Sequence, residues 1–336
     1  MTTDKVNYLN IGLMATSAVA AFVLPFEVFL LAYAVLGPLH YLTEISWLHD
    51  RSYFLKDRRD GMPLLLLCVV VLIVSLAHWS PARKSEIVTL INYLAFAGAA
   101  VLLWGKTSAT KVIAFALIVL SFFIAGQSEW CRIVFGLFLP TIVHVFIFTA
   151  AFVLLGALRG RSRSSLASLA VFILCAMSFF VYLPSEHGPA VSSYVREAYA
   201  PFEQLNLMIF KLFNLAAAGS RDAVYQSAQG VAVMRFIAFA YLYHYLNWFS
   251  KTSIIKWNRI SASRALVIVG LWMLSLALYA NDSGAGLMLL TTLSFAHGFL
   301  ELPLDHQTFL KVGRELLALV RENLRRDEVR TETEFA

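Results

Sequence analysis

Ten apolar stretches divide this chain, and each is long enough to cross a lipid bilayer. A spanning helix needs roughly 20 apolar residues, with about 17 as the lower limit. Of the 336 residues, 59% are hydrophobic and only 14% are charged, whereas soluble domains carry about 25% charged residues. The sequence therefore predicts an all-α, polytopic transmembrane bundle of about ten spanning helices. The predicted spans are 8–24, 27–48, 63–80, 86–104, 110–126, 135–158, 165–183, 231–249, 262–280 and 284–302.

The first two spans meet at Pro25. One continuous helix over residues 8–48 would be about 60 Å long at 1.5 Å per residue, which is twice the hydrocarbon thickness. Because proline also disrupts a helix interior, we expect a tight turn at this position.

Basic residues cluster in alternate connections between the predicted spans. If the N-terminus is cytoplasmic, the short outer connections carry only Arg83 and Lys84. This asymmetry follows the positive-inside rule and predicts an even number of spans with both termini in the cytoplasm. The net charge of +6 thus suits loops at one face of a membrane, with the bilayer as partner, and not nucleic-acid binding. A bacterial inner membrane is the expected location, while the oligomeric state stays open.

The charge asymmetry depends on the connections predicted to be cytoplasmic. These inner connections hold Arg51, Lys56, Arg58, Arg59, Lys106, Lys111, Arg159, Arg161, Arg163, Lys251, Lys256, Arg259 and Arg264.

Two further segments are amphipathic and too polar to span. Residues near 191–225 place Phe202, Leu205 and Ile209 on one helical face, which predicts a helix on the outer membrane surface. Residues 307–336 begin with a basic amphipathic helix that we expect along the cytoplasmic headgroups, followed by a tail. The predicted organisation is a bundle over 1–306 and this terminal segment.

Two His-x-x-x-Glu pairs lie in strongly apolar surroundings. His40 precedes Glu44 near the start of the chain, and His297 precedes Glu301 near its end. Residues four apart are neighbours on one face of a helix. Ionisable groups at membrane depth usually face the bundle interior and mark a functional site.

The predicted topology gives three histidines a common depth. His40, His244 and His297 each fall about five to eight residues before the inner end of a span, or roughly 7–12 Å below the boundary. His144 lies near the middle of its span and could reach this group from above. Three histidines and two glutamates in a low-dielectric layer need a cation. The predicted metal ligands are His40, Glu44, His144, His244, His297 and Glu301.

The metal is expected to be non-haem iron, as one or two ions, with zinc as the alternative. Imidazole and carboxylate groups suit iron, zinc or manganese. The three cysteines have no metal-binding spacing and favour buried packing positions.

The segments around these histidines resemble a known family. Gly37-Pro38-Leu39-His40-Tyr41-Leu42-Thr43-Glu44 is similar to an early histidine element of the Brp/Blh β-carotene dioxygenases, and Ala296-His297-Gly298-Phe299-Leu300-Glu301 is similar to their late Pro-His element. Tyr243-His244-Tyr245 stands at the place of their penultimate histidine segment. The resemblance implies a polytopic enzyme in which His40, His244 and His297 bind iron that cleaves a carotenoid.

Three classes of function fit these observations. The first is a membrane-embedded non-haem iron oxidoreductase that acts on a lipid-soluble isoprenoid, carotenoid or acyl substrate. The second is a zinc-dependent lipid hydrolase, in which Glu44 or Glu301 would act as the catalytic general base. The third is a non-enzymatic transporter or accessory subunit with a proton or metal pathway. We expect aromatic residues around His244 to line a hydrophobic substrate tunnel.

Overall fold

The computed structural model describes residues 2–183, 190–215 and 220–334, with only the backbone described at 323 and 326–334. This part of the chain is almost entirely helical and contains no strand, so the prediction of an all-α fold is confirmed. The helices are α1 (Thr3–Val23), α2 (Pro25–Asp50), α3 (Met62–Leu76), α4 (Pro81–Trp104), α5 (Ser108–Ala125), α6 (Glu129–Gly160), α7 (Arg163–Val181), α8 (Ser193–Tyr199), α9 (Glu203–Leu212), α10 (Arg221–Gln226), α11 (Ala228–Ser250), α12 (Thr252–Ile255), α13 (Ala262–Asn281) and α14 (Ser283–Glu334).

Every predicted span coincides with one of these helices. Within the described residues, nine helices are long and apolar enough to cross a membrane. The remaining predicted span, 231–249, forms α11, which is about 35 Å long but contains no stretch apolar enough to count among these nine. Most of α11 is buried against protein, including Arg235 and Asn247. A central helix of this kind does not face lipid, so it can carry polar residues at membrane depth.

Helix α5 carries the clearest candidate surface for contact with a membrane. None of its residues is buried, although the helix is strongly apolar. Phe123 and Ile124 are 69% and 80% exposed. A soluble monomer rarely leaves so large an apolar surface in water. The exposed side chains of α5 therefore suit contact with lipid chains.

The turn predicted at Pro25 is present. Helix α1 ends at Val23, Leu24 leaves helical geometry, and Pro25 occupies the first position of α2. The missing N–H of proline costs nothing there, because the first amides of a helix have no intrahelical partner.

Two site-bearing helices contain π-helical segments next to a proline. In α2 the segment Ala32–Leu36 precedes Pro38, and in α6 the segment Val134–Phe148 contains Pro140. Proline cannot donate the usual backbone hydrogen bond and crowds the preceding turn. Wider i→i+5 turns accommodate this defect and are frequent at functional sites.

The basic connections lie together at one end of the bundle. Arg264 pairs with Asp50 at 2.6 Å, Lys111 pairs with Asp60 at 2.6 Å, and Arg159 pairs with Glu315 at 3.0 Å. The first two contacts link the loop after α2 to the connections that follow α4 and precede α13. Arg159, at the end of α6, is linked to the same loop through α14, because Gln307 of α14 donates a hydrogen bond to the carbonyl oxygen of Phe54. All four connections predicted to be cytoplasmic are therefore joined. The shared end agrees with the charge pattern, and its assignment to the cytoplasm stays a prediction.

The two predicted amphipathic segments are both helical, and their placement at the membrane surfaces stays a prediction. Helices α8 to α10 pack onto the bundle, where Leu205 and Ile209 are buried, whereas Phe213 is 67% exposed. Residues 216–219 lie outside the described residues. The C-terminal segment is not a separate helix, because α14 runs unbroken from Ser283 to Glu334 through Pro303. The predicted span at 284–302 and the amphipathic helix are thus one element.

Two apolar clusters fill the interior of the bundle. One surrounds Phe29 and Phe239, and the other surrounds Leu48 and Leu300. Four helices contribute side chains to both clusters: α2, α6, α11 and α14. The polar residues of these four helices are therefore enclosed on both sides by apolar packing.

The α13–α14 hairpin depends on a close backbone approach at Gly286. A Cβ at Gly286 would lie 2.3 Å from Tyr279 Cα, whereas a Cβ at Gly270 in α13 would meet nothing within 4 Å. We expect Gly286→Ala to destabilise the protein by about 1–3 kcal/mol through overpacking. Gly270→Ala should leave stability unchanged or slightly higher. Thermal unfolding in detergent would measure the difference, and equal midpoints for the two variants would contradict this packing.

Candidate metal centre

Four buried histidines, one from each of four helices, meet in the middle of the bundle. They are His40 of α2, His144 of α6, His244 of α11 and His297 of α14. The Nε2 atoms of His144 and His297 lie 2.8 Å apart, and those of His40 and His244 lie 3.1 Å apart. Each ring contacts two of the others, with ring centres 4.7–5.2 Å apart.

Three buried carboxylic side chains join the histidines. Glu44 Oε2 lies 3.1 Å from His40 Nε2, and Glu301 Oε2 lies 3.7 Å from His144 Nε2. Asp305, one helical turn after Glu301, is only 1% exposed. Within the described residues, Glu301 Oε2 and both carboxyl oxygens of Asp305 have no hydrogen-bond partner. Buried oxygens of this kind are costly unless a cation or a donor compensates them.

The separations match the coordination sphere of a metal ion. Metal–nitrogen bonds are about 2.0–2.1 Å, so two ligands at a right angle on one ion lie about 3 Å apart. His40, His244 and His297 form one set of three ligands, and His144, Glu301 and Asp305 form a second. Within each set, one ligating atom of every residue lies within 4.8 Å of the others. These buried groups could therefore hold a metal ion, and the two sets offer places for two.

Neighbouring side chains orient the rings. His244 Nδ1 donates a hydrogen bond of 2.9 Å to Thr149 Oγ1 when its Nε2 is free to bind a metal. Tyr41 stacks on His297 with ring centres 4.3 Å apart, and its hydroxyl lies 2.7 Å from that of Tyr245. These contacts fix the ring orientations before any ion binds.

A cavity of about 220 Å³ opens onto the centre. Its polar lining includes His40, Glu44, His244 and Glu301, whereas its walls are mainly aromatic and aliphatic. Each of the four helices that carry the histidines contributes to the lining: α2, α6, α11 and α14. The apolar walls are formed by Trp47, Phe148, Phe152, Trp248, Ile255 and Leu304.

The structure brings together all six residues predicted as metal ligands. All six are buried in this one cluster: His40, His144, His244, His297, Glu44 and Glu301. Their role in binding a metal stays a prediction. Glu44 and Glu301, which were predicted as catalytic, both line the cavity.

Two other histidines near the same end lie outside the cluster. His49 Nδ1 forms a hydrogen bond of 2.8 Å with the hydroxyl of Tyr53. His306 Nδ1 lies 2.7 Å from the carbonyl oxygen of Leu302, and its ring packs against Phe96. His49 and His306 therefore contact other partners and do not belong to the cluster.

Sequence reasoning missed Asp305 and Thr149. Asp305 continues the spacing of His297 and Glu301 at positions i, i+4 and i+8 of one helix. That repeated spacing was a usable signal. Thr149 gave no signal, because its contact with His244 joins two helices distant in sequence.

Comparison of the chain with protein-family models, with curated proteins and with solved structures finds no match. The resemblance to the Brp/Blh β-carotene dioxygenases is therefore neither supported nor opposed by a relative. Functional inference starts from the geometry of the site.

We expect the purified protein to carry one or two transition-metal ions per chain. Alanine at any of the four central histidines should release most of this metal, because each imidazole is a predicted ligand. His49→Ala and His306→Ala are matched controls, since they remove the same side chain from α2 and α14 outside the cluster. Elemental analysis of folded, monodisperse protein measures the content. Full occupancy in all the site variants would contradict a metal centre. The variants are His40→Ala, His144→Ala, His244→Ala and His297→Ala.

The contact between Thr149 and His244 provides a finer test. Loss of an outer-shell partner typically lowers metal affinity about 10–100-fold. Thr149→Val should have this effect, whereas Thr149→Ser keeps the hydroxyl and should retain the affinity. Competition with a chelator of known affinity would measure both variants, and equal affinities would show that the hydrogen bond does not support the centre.

Proposed function

We propose that this protein is a membrane-embedded, non-haem iron oxidoreductase that acts on a lipid-soluble substrate. The observation that carries the proposal is the convergence of four imidazoles and three carboxyl groups beside a mostly apolar cavity. Nitrogen and oxygen ligands of this kind suit iron, and pairs of iron ions in helical bundles are typically held by carboxylates and histidines.

The surroundings support oxidation chemistry. Iron with open coordination positions supplies the binding and activation of dioxygen. The apolar clusters around the centre exclude water from the reacting groups. Trp47, Trp248 and Phe152 give the cavity walls that suit a hydrocarbon chain. Glu44 and Glu301, which lie at the same cavity, are placed to accept or return a proton.

A specific arrangement also favours zinc-dependent hydrolysis as the second candidate. His40, His244 and His297 form a three-histidine set, which is a common ligand set of catalytic zinc. Glu44 lies beside this set and could serve as a general base towards a water molecule. The substrate would then be a lipid ester or amide.

The identity of the metal separates these two candidates. Iron in the purified protein, together with oxygen consumption when extracted membrane lipids are added, is the expected result. Zinc without oxygen consumption, and incorporation of labelled oxygen from water into the product, would favour hydrolysis. Protein that contains no transition metal after gentle purification, and binds none on reconstitution, would exclude both.

Glu44→Gln and Glu301→Gln test the roles of the carboxylates. Each substitution keeps the shape of the side chain and removes its charge. We expect each to lower the turnover at least about 100-fold, the lower range of the contribution of acid–base groups. Turnover is measured per bound metal ion, so that loss of metal and loss of chemistry are distinguished. Unchanged turnover per metal in both variants would show that neither carboxylate takes part.

A further inference from the structure

A lysine without a partner lines the same cavity as the metal centre. Lys251 follows the last residue of α11 and is partly buried there. In the described part of the chain, its ammonium group makes no ion pair or hydrogen bond. At the same end, Arg264 is paired with Asp50 and Lys111 with Asp60. Burial lowers the pKa of the Lys251 ammonium to about 8.

The position of Lys251 follows from the helix period. His244, Asn247 and Lys251 lie at positions i, i+3 and i+7 of one helical run, and all three line the cavity. Seven residues correspond to about 10 Å along the helix axis. The cavity therefore has the imidazole of His244 at one level and the ammonium group of Lys251 roughly two helical turns further along the helix axis.

We propose that this cavity binds a lipid with a single hydrocarbon chain and an anionic head group, and that Lys251 binds the head group. The proposal rests on the proposed function, because it names the substrate class of that same site. An unpaired ammonium beside apolar walls is complementary to a carboxylate or phosphate attached to a hydrocarbon.

The geometry also determines the orientation of the lipid. With its head group at Lys251, the chain lies along the wall formed by the contacting rings of Trp47 and Trp248 and brings a carbon some distance from the head to the metal centre. A neutral hydrocarbon such as a carotenoid would leave the ammonium without a partner. Lys251 thus distinguishes acidic lipids from neutral ones, and it is a positioning residue, not a ligand of the metal.

Equilibrium binding of four probes with the same hydrocarbon chain tests the proposal: oleate, oleyl phosphate, oleyl alcohol and oleylamine. We expect wild-type protein to bind at least one of the two anions about tenfold or more tightly than the alcohol, and the amine most weakly. The better anion identifies the head group as carboxylate or phosphate. Equal binding of all four probes would overturn the proposal.

Variants assign the preference to Lys251. Lys251→Met should abolish the preference for the anion, whereas Lys251→Arg should retain it. Lys256→Met removes an exposed lysine from the same end of the bundle and should have no effect. Metal content should be unchanged in all three. A preference that survives in Lys251→Met would overturn the proposal. Protein without metal that still shows the Lys251-dependent preference would instead refute the proposed function alone.

Discussion

Burial of seven ionisable side chains in one apolar interior is the constraint on which this structure depends. The carboxyl groups of Glu44, Glu301 and Asp305 share a small volume with four imidazoles. Without compensation, three carboxylates at this depth would repel one another and lose their hydration, which costs several kcal/mol per ion. A metal cation at the proposed centre would remove both penalties at once. The cost is most evident at the unpartnered oxygens of Glu301 and Asp305.

The helices are arranged to meet this constraint. Each of four helices supplies one imidazole, and the two apolar clusters enclose the group from both sides. Helix α11, which carries Arg235, His244 and Asn247, is mostly buried against protein, so its polar groups avoid lipid. Packing also orients the imidazole rings. Thr149 forms a hydrogen bond with His244 and Tyr41 stacks on His297, so these two rings do not rotate as they would in water.

Much of the fold and of the centre could be predicted from the sequence. Span length located every long helix, and the spacing of His40 from Glu44 and of His297 from Glu301 identified two shared helix faces. The face presented by His144 could not be predicted, because it lies in a π-helical segment where the rotation per residue differs from that of an α-helix.

The place of Asp305 in the centre and the isolation of Lys251 were not predicted either, and both depend on tertiary packing. The last predicted span ended at residue 302, before Asp305, but α14 continues through Pro303 and keeps Asp305 on the face of His297. Helix interiors tolerate proline when the surroundings accommodate the missing bond. The isolation of Lys251 from other charged groups depends on tertiary packing, which no local pattern encodes.

The division of the ligands among helices far apart in the chain has a consequence for biogenesis. Ribosomes deliver α2 first and α14 last, and α14 provides His297, Glu301 and Asp305. During insertion, the earlier helices hold His40, Glu44 and His144 in the bilayer with an incomplete set of neighbours. A complete centre can form only after the final helix has entered the membrane. If the centre binds metal as proposed, metal acquisition would be a late step of assembly, and it would join the first and last hairpins into one cooperative unit.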